Sequence, residues 1–269
     1  MENKLSKLKS WKATSPLTAE AINNSLSGLE DLYKCTDELL DLPLTQQALC
    51  PHQQGRWFNM SLDISDRLLD VCCITRDLMS QIKEHSRDIQ SALRRRKGDL
   101  SIESSIVKYR TFRKKMKKEA KKLIAAMKET DNKIGASPVT EQDHHVSPVI
   151  TALREVTAIS ISVYHSILLF LSAPVSRPKS RRWSAISKFL HKGRVAPEDQ
   201  QHNMSELESA DFALDILYRC GSSDGDNMQI AQASLEQLEA SIGSIENGLE
   251  CSFRHLIKAR ASLLNLVSK

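Results

Sequence analysis

The side chains best equipped for chemistry in this chain are basic. Arg110, Arg113, Lys114, Lys117, Lys118 and Lys121 recur at three- and four-residue spacing, which places them along one side of a helix. Such a face can bind the phosphates of anionic lipid or nucleic acid, or the carboxylates of an acidic partner. Nucleic acid is the weakest of these, because no aromatic residue is interleaved to stack on bases and no nucleic-acid module is present. Lys114 to Lys118 also resembles a nuclear-localisation cluster. The bland alternative is a solvated or internally paired face, the usual fate of charge runs on helices.

Other reactive residue types lack the spacing that chemistry requires. His144 and His145 are adjacent in a stretch punctuated by Pro138 and Pro148, without further ligands at helical or finger spacing, and read as exposed loop histidines. The six cysteines form no Cys-x-x-Cys pair and read as reduced thiols. Cys72 and Cys73 would point about 100° apart on a helix, which rules against a mutual disulfide or a shared metal. Asp66 and Asp70 lie one helical turn apart, a commonplace pattern on solvated helices. No phosphate loop, nucleophile motif or metal-ligand spacing occurs, so no catalytic residue, cofactor or metal is assigned. Arg181-Arg182-Trp183-Ser184 places two arginines before a serine at an expected helix start. Ser184 is therefore a candidate phosphorylation site, since a phosphate there would meet free amides and guanidinium groups.

The elements that must carry these residues are helical. Aromatics make up 5% of 269 residues, and Gly and Pro are few, which disfavours a sandwich or barrel. The longest helical pattern runs from Arg56 to about Lys97. There Trp57, Ile64, Leu68, Val71, Cys72, Thr75, Met79, Ile82, Ser86, Ile89 and Leu93 form one stripe. Before it, Thr18 is the expected N-cap of a helix reaching about Leu42, and a short helical turn spans 44–49. After it, a helix from Asp99 or Ser101 to about Lys133 sets Tyr109, Phe112, Met116, Ala120, Leu123 and Met127 opposite the basic face. Residues 149–171 are strongly apolar, and 156–171 contain no Asp, Glu, Lys or Arg. A buried bundle helix and a membrane anchor both fit that composition, and the serines and His165 favour burial. Further helices are expected at 183–192, 204–220 and 228–267. In the last, Leu235, Leu238, Ile242, Ile245, Leu249, Phe253, Leu256 and Leu263 form a seam flanked by Glu236, Glu239, Glu246 and Glu250. Those acids are the expected internal counterpart of the basic helix, and Gly243 and Gly248 would let a neighbour approach closely.

The expected fold is therefore all-α: an antiparallel helical bundle of about five to seven helices with long central and C-terminal members. A flexible basic stretch at 1–15 precedes a single domain at 16–269, with a loop at 135–148 and linkers at 173–182 and 193–203.

Several strings taken together resemble a known family. They are Leu42-Pro-Leu-Thr-Gln-Gln-Ala-Leu49, Asp66-Arg-Leu-Leu-Asp-Val-Cys72 with Arg76-Asp77, Ile89-Gln-Ser-Ala-Leu-Arg-Arg-Arg-Lys-Gly98, Trp183-Ser-Ala-Ile-Ser-Lys188 and Leu256-Ile-Lys-Ala-Arg260. In this order they resemble the plant BYPASS-related family. The resemblance implies a protein of root and shoot development and carries over no catalytic residue. The function expected is a non-enzymatic helical regulator or scaffold acting through contacts with protein partners the sequence does not name. The alternative is a peripheral membrane protein, held on anionic lipid by basic faces or anchored by 156–171; an enzyme ranks third. The expected location is the cytoplasm, with membrane association and the nucleus left open.

Overall fold

The computed structural model describes residues 17–49, 56–95, 99–136, 147–173, 204–221 and 225–267. Within them lie seven helices and no strand: α1 (Ala19–Asp41), α2 (Pro43–Leu49), α3 (Arg56–Arg94), α4 (Asp99–Ala136), α5 (Ser147–Ser172), α6 (Glu206–Cys220) and α7 (Gly225–Val267). The expected basic stretch at 1–15, the linker at 193–203, all of the linker at 173–182 but Ala173, the helix at 183–192, His144, His145 and Ser184 lie outside the described residues. Of the expected loop at 135–148, residues 135–136 belong to α4 and 147–148 to α5, and 137–146 lie outside the described residues.

Local chemistry sets the helix starts. The Thr18 hydroxyl accepts the Ala21 amide at 3.3 Å, satisfying one of the amides a helix start leaves free. At the start of α6 the Ser205 side chain accepts the Glu208 amide, and the Glu208 carboxylate accepts the Ser205 amide at 3.1 Å, a reciprocal capping box. Neighbouring Glu206 reaches across to accept the Ala19 amide at 3.0 Å, tying the first turns of α6 and α1 together. α6 stops at Gly221, whose φ of 79° suits a residue without a Cβ.

The stripe read from α3 is the core. Ile64, Leu68, Val71, Cys72, Thr75, Met79, Ile82, Ser86, Ile89 and Leu93 are all buried, as are the apolar line of α4 and that of α7 apart from Phe253, while Trp57 and Phe253 are partly buried. Burial of each large apolar side chain contributes about 1.5–3 kcal/mol, so these stripes drive assembly. A second cluster, centred on Leu40, Leu49, Phe58 and Leu263, closes one end of the bundle.

Contacts along the helices fix their directions. Arg76 meets Glu250, Lys83 meets Glu246, Arg87 meets Glu239 and Arg94 meets Glu236, so α3 and α7 run antiparallel. In contrast, α1 runs parallel to α7, with Leu26 beside Gly248, Glu30 beside Cys251 and Asp37 beside His255. Gly248 is the close approach the sequence suggested: a Cβ there would lie 3.0 Å from the Leu26 Cβ. Gly243 is not, since a Cβ there would meet nothing within 4 Å.

Among the described helices, Pro148–Ser172 alone is long and apolar enough to cross a membrane, with a mean hydropathy of 1.4. Here it packs against α1, α3 and α4, burying Val156, Ile159, Tyr164, Ile167, Leu168 and Leu171. Its buried Ser160 is satisfied internally, donating to the Val156 carbonyl and accepting from the Tyr33 hydroxyl, each at 2.8 Å.

Candidate functional site

The basic face of α4 divides into two sets with different partners. Arg113 does not belong to an outward face. At 2% exposure it lies inside the bundle, four residues from Tyr109 and three from Met116, within the apolar stripe. Its guanidinium donates from Nε and Nη2 to the Asp211 carboxylate at 2.7–3.0 Å, and from Nη1 to the Leu171 carbonyl at 3.0 Å. The Tyr109 hydroxyl donates to the same carboxylate at 2.7 Å. Burial, the largest single influence, pulls the Arg113 guanidinium down, but the charge and hydrogen bonds of Asp211, together with Tyr109, outweigh it and hold the group above its ordinary value. Burial, helped by the same carboxylate, pushes the Tyr109 phenol well up. Three helices, α4, α5 and α6, are thus locked at one point.

Arg110 is also spoken for. It pairs with Asp215, which Arg219 holds from the other side at 2.8 Å. The Arg110 guanidinium also sits 4.4 Å from the Tyr218 ring centroid, a favourable cation–π position. α4 therefore finds its internal acids on α6.

The expected pairing of α4 with the acids of α7 is corrected by the structure. Glu236, Glu239, Glu246 and Glu250 all face α3, with Lys83–Glu246 and Arg87–Glu239 each at 2.6 Å. The reason is register: α3 lies against α7 along its length and presents a cation at almost every second turn. The α7 acids are consumed there.

What remains on α4 is a cluster of lysines. Lys114, Lys118 and Lys121 are exposed and Lys117 is partly so, with exposed Lys108 and Lys115 alongside. Lys122 pairs with Glu119 at 3.0 Å; among the described residues no acid pairs with the other six. Of the six residues singled out from sequence, the structure keeps Lys114, Lys117, Lys118 and Lys121 together on the surface and withdraws Arg110 and Arg113.

Elsewhere, Asp66 pairs with Arg260 at 2.7 Å, and Arg260 also donates to the Leu62 carbonyl and the Ser65 hydroxyl. Asp66 thus serves the α3–α7 contact. Cys72 is buried and Cys73 exposed, and all described cysteines are free thiols.

One cluster was not legible from spacing. Glu30, Cys251 and His255 each present a ligand-type atom, and these atoms lie within 4.8 Å of one another. Cys251 and His255 are one turn apart on α7, but Glu30 comes from α1, where no sequence interval connects it to them. The His255 Nδ1 lies 3.0 Å from the Asp37 carboxylate, and its ring stacks on Tyr33 at 5.9 Å. Lys34 pairs with Glu30 at 2.7 Å, and Lys258 approaches Asp37 at 3.3 Å.

No curated protein and no solved structure matches this chain. The family model described as Protein BPS1 does match, over residues 25–266, a span containing every helix contact that builds the lysine cluster. The chain belongs to the BPS1 family, the plant BYPASS-related proteins.

Proposed function

We propose that this chain is a non-enzymatic helical scaffold that docks an acidic surface of a partner protein on the exposed lysines of α4. BPS1-family membership suggests a plant developmental regulator, and a docking surface is the part of such a protein that would carry the regulation. The observation that supports this reading is the division of charge on α4. Its arginines are neutralised by Asp211 and Asp215, and the acids of α7 are taken by α3, yet six lysines of α4 have no acid among the described residues. Clustered like charges repel, and an acidic partner relieves that repulsion while gaining association rate and register.

The lysine cluster equally attracts anionic lipid, which makes membrane binding the second reading. A variant with Lys114, Lys117, Lys118 and Lys121 changed to glutamate separates them. Affinity capture from seedlings is expected to lose specific partner proteins with this variant, while the wild-type chain floats no better on phosphatidylserine vesicles than on neutral ones. Unchanged partners would end the scaffold reading. Salt-sensitive flotation of the wild type on anionic vesicles alone would replace it with the lipid one.

A further inference from the structure

We infer that Glu30, Cys251 and His255 form a binding site for a divalent transition metal of zinc type, independent of the lysine surface of α4. The donor set is a thiol sulfur, an imidazole nitrogen and a carboxylate oxygen, gathered within 4.8 Å of one another at the α1–α7 contact. Thiolate and imidazole favour zinc over calcium or magnesium, and three protein ligands with one open position are an established zinc arrangement. Tetrahedral zinc holds its donors about 3.3–3.8 Å apart, given bonds of about 2.0–2.3 Å. The donors, within 4.8 Å of one another, therefore have at most about 1–1.5 Å to close.

The surroundings of His255 supply the independent support. Its Nδ1 faces the Asp37 carboxylate at 3.0 Å, an outer partner that fixes the tautomer and leaves Nε2 for the metal. Asp37 is 6% exposed, and its second oxygen, Oδ1, is buried without a hydrogen-bond partner. Lys258 approaches the other oxygen of this carboxylate at 3.3 Å, yet Oδ1 keeps no hydrogen-bond partner, and a metal on Nε2 would add positive charge to the ring that faces it. The Tyr33 ring stacked on the imidazole sets its plane.

Loading is balanced as an exchange. The ion bonds to the Cys251 sulfur, whose proton leaves to solvent, to Nε2 of His255 and to one Glu30 oxygen, and a water takes the fourth position. Lys34, half-exposed on a flexible stem, moves its ammonium off Glu30 as the metal arrives. Because α1 and α7 run side by side here, the ion would clamp the N-terminal helix onto the C-terminal one.

Cobalt substitution of the full-length chain, stripped with chelator and kept reduced, tests this. One equivalent of Co²⁺ should give a thiolate-to-cobalt charge-transfer band and the intense visible bands of tetrahedral coordination. Cys251→Ser should abolish the charge-transfer band, His255→Gln should weaken binding at least tenfold, and Asp37→Asn should weaken it about 10- to 100-fold. Cys73→Ser and Cys220→Ser, at exposed thiols away from the cluster, should leave the spectrum unchanged. Helical circular dichroism checks that each variant folds, and Cys251 and Glu30 are sufficiently exposed for Cys251→Ser and Glu30→Gln to do so. Absence of the band in the wild type, or its persistence in Cys251→Ser, would overturn the assignment.

Discussion

Replacing Arg113 by methionine tests whether this residue is structural. The substitution keeps most of the stem volume but leaves the Asp211 carboxylate, 3% exposed, with only the Tyr109 hydroxyl as a donor. Removing one partner of a buried ion pair costs about 3–5 kcal/mol, because the other charge is stranded. Lys114→Met, one residue further on the exposed surface, should change stability by less than about 0.5 kcal/mol. The double variant Arg113→Met, Asp211→Leu removes both charges. It still leaves the Tyr109 hydroxyl and the Leu171 carbonyl short of a partner, about 1–3 kcal/mol each, but the carbonyl is orphaned in Arg113→Met as well, and a neutral hydroxyl costs less to strand than a carboxylate. It should therefore be more stable than Arg113→Met alone. Urea unfolding followed by circular dichroism and fluorescence gives all three values. A cost below about 1 kcal/mol for Arg113→Met, or a double variant as poor as the sum of its singles, would refute the buried lock.

The remaining predictions use the same unfolding assay or a pH series. Gly243→Ala should stabilise by up to about 1 kcal/mol through helix propensity, whereas Gly248→Ala should destabilise, since its Cβ would meet the Leu26 Cδ1 at 2.9 Å; the opposite ordering would contradict the α1–α7 packing. Changing Lys114, Lys117, Lys118 and Lys121 to glutamate should leave stability within about 1 kcal/mol, while Glu246→Lys, facing Lys83 at 2.6 Å, should lower it more than Lys121→Glu does. Burial pushes the Cys72 thiol up to about 11 and raises the Tyr33, Tyr109 and Tyr164 phenols. The folded chain thus holds protons that the unfolded chain releases near their ordinary values of about 8.5 and 10. Stability should be full below those values and fall as pH rises through them toward the folded ones. A Tm constant between about pH 9 and 11 would contradict the burial of these groups.

The helices were legible because their apolar residues keep a 3.6-residue rhythm. Thr75 and Ser86 joined the α3 stripe correctly despite being polar, since position and not polarity decides which way a helical side chain points. The same rule would have exposed Arg113, which shares the stripe of Tyr109, Met116 and Ala120. Grouping it with the lysines followed charge and overlooked phase. Asp211 and Asp215 offered a matching signal, two acids one turn apart among Ala210, Phe212, Ala213, Leu214 and Leu217 in the apolar part of α6. Nothing in the sequence could choose between α3 and α4 as partner for the α7 acids, because both carry suitable cations and only packing register discriminates. The parallel course of α1 on α7, and with it the meeting of Glu30 with Cys251 and His255, depends on long-range topology that local periodicity does not encode.

The central claim, that the α4 lysines are left over by folding and kept for a partner, is tested most directly by lysine-reactivity footprinting. Acylation would be compared between the purified chain and the same chain in intact seedling tissue. Lys114, Lys117, Lys118 and Lys121 should react readily when purified and be shielded in tissue, while Lys133, paired with Glu129 on the last turns of α4, reacts alike in both. Equal reactivity of the four lysines in the two settings would contradict the claim.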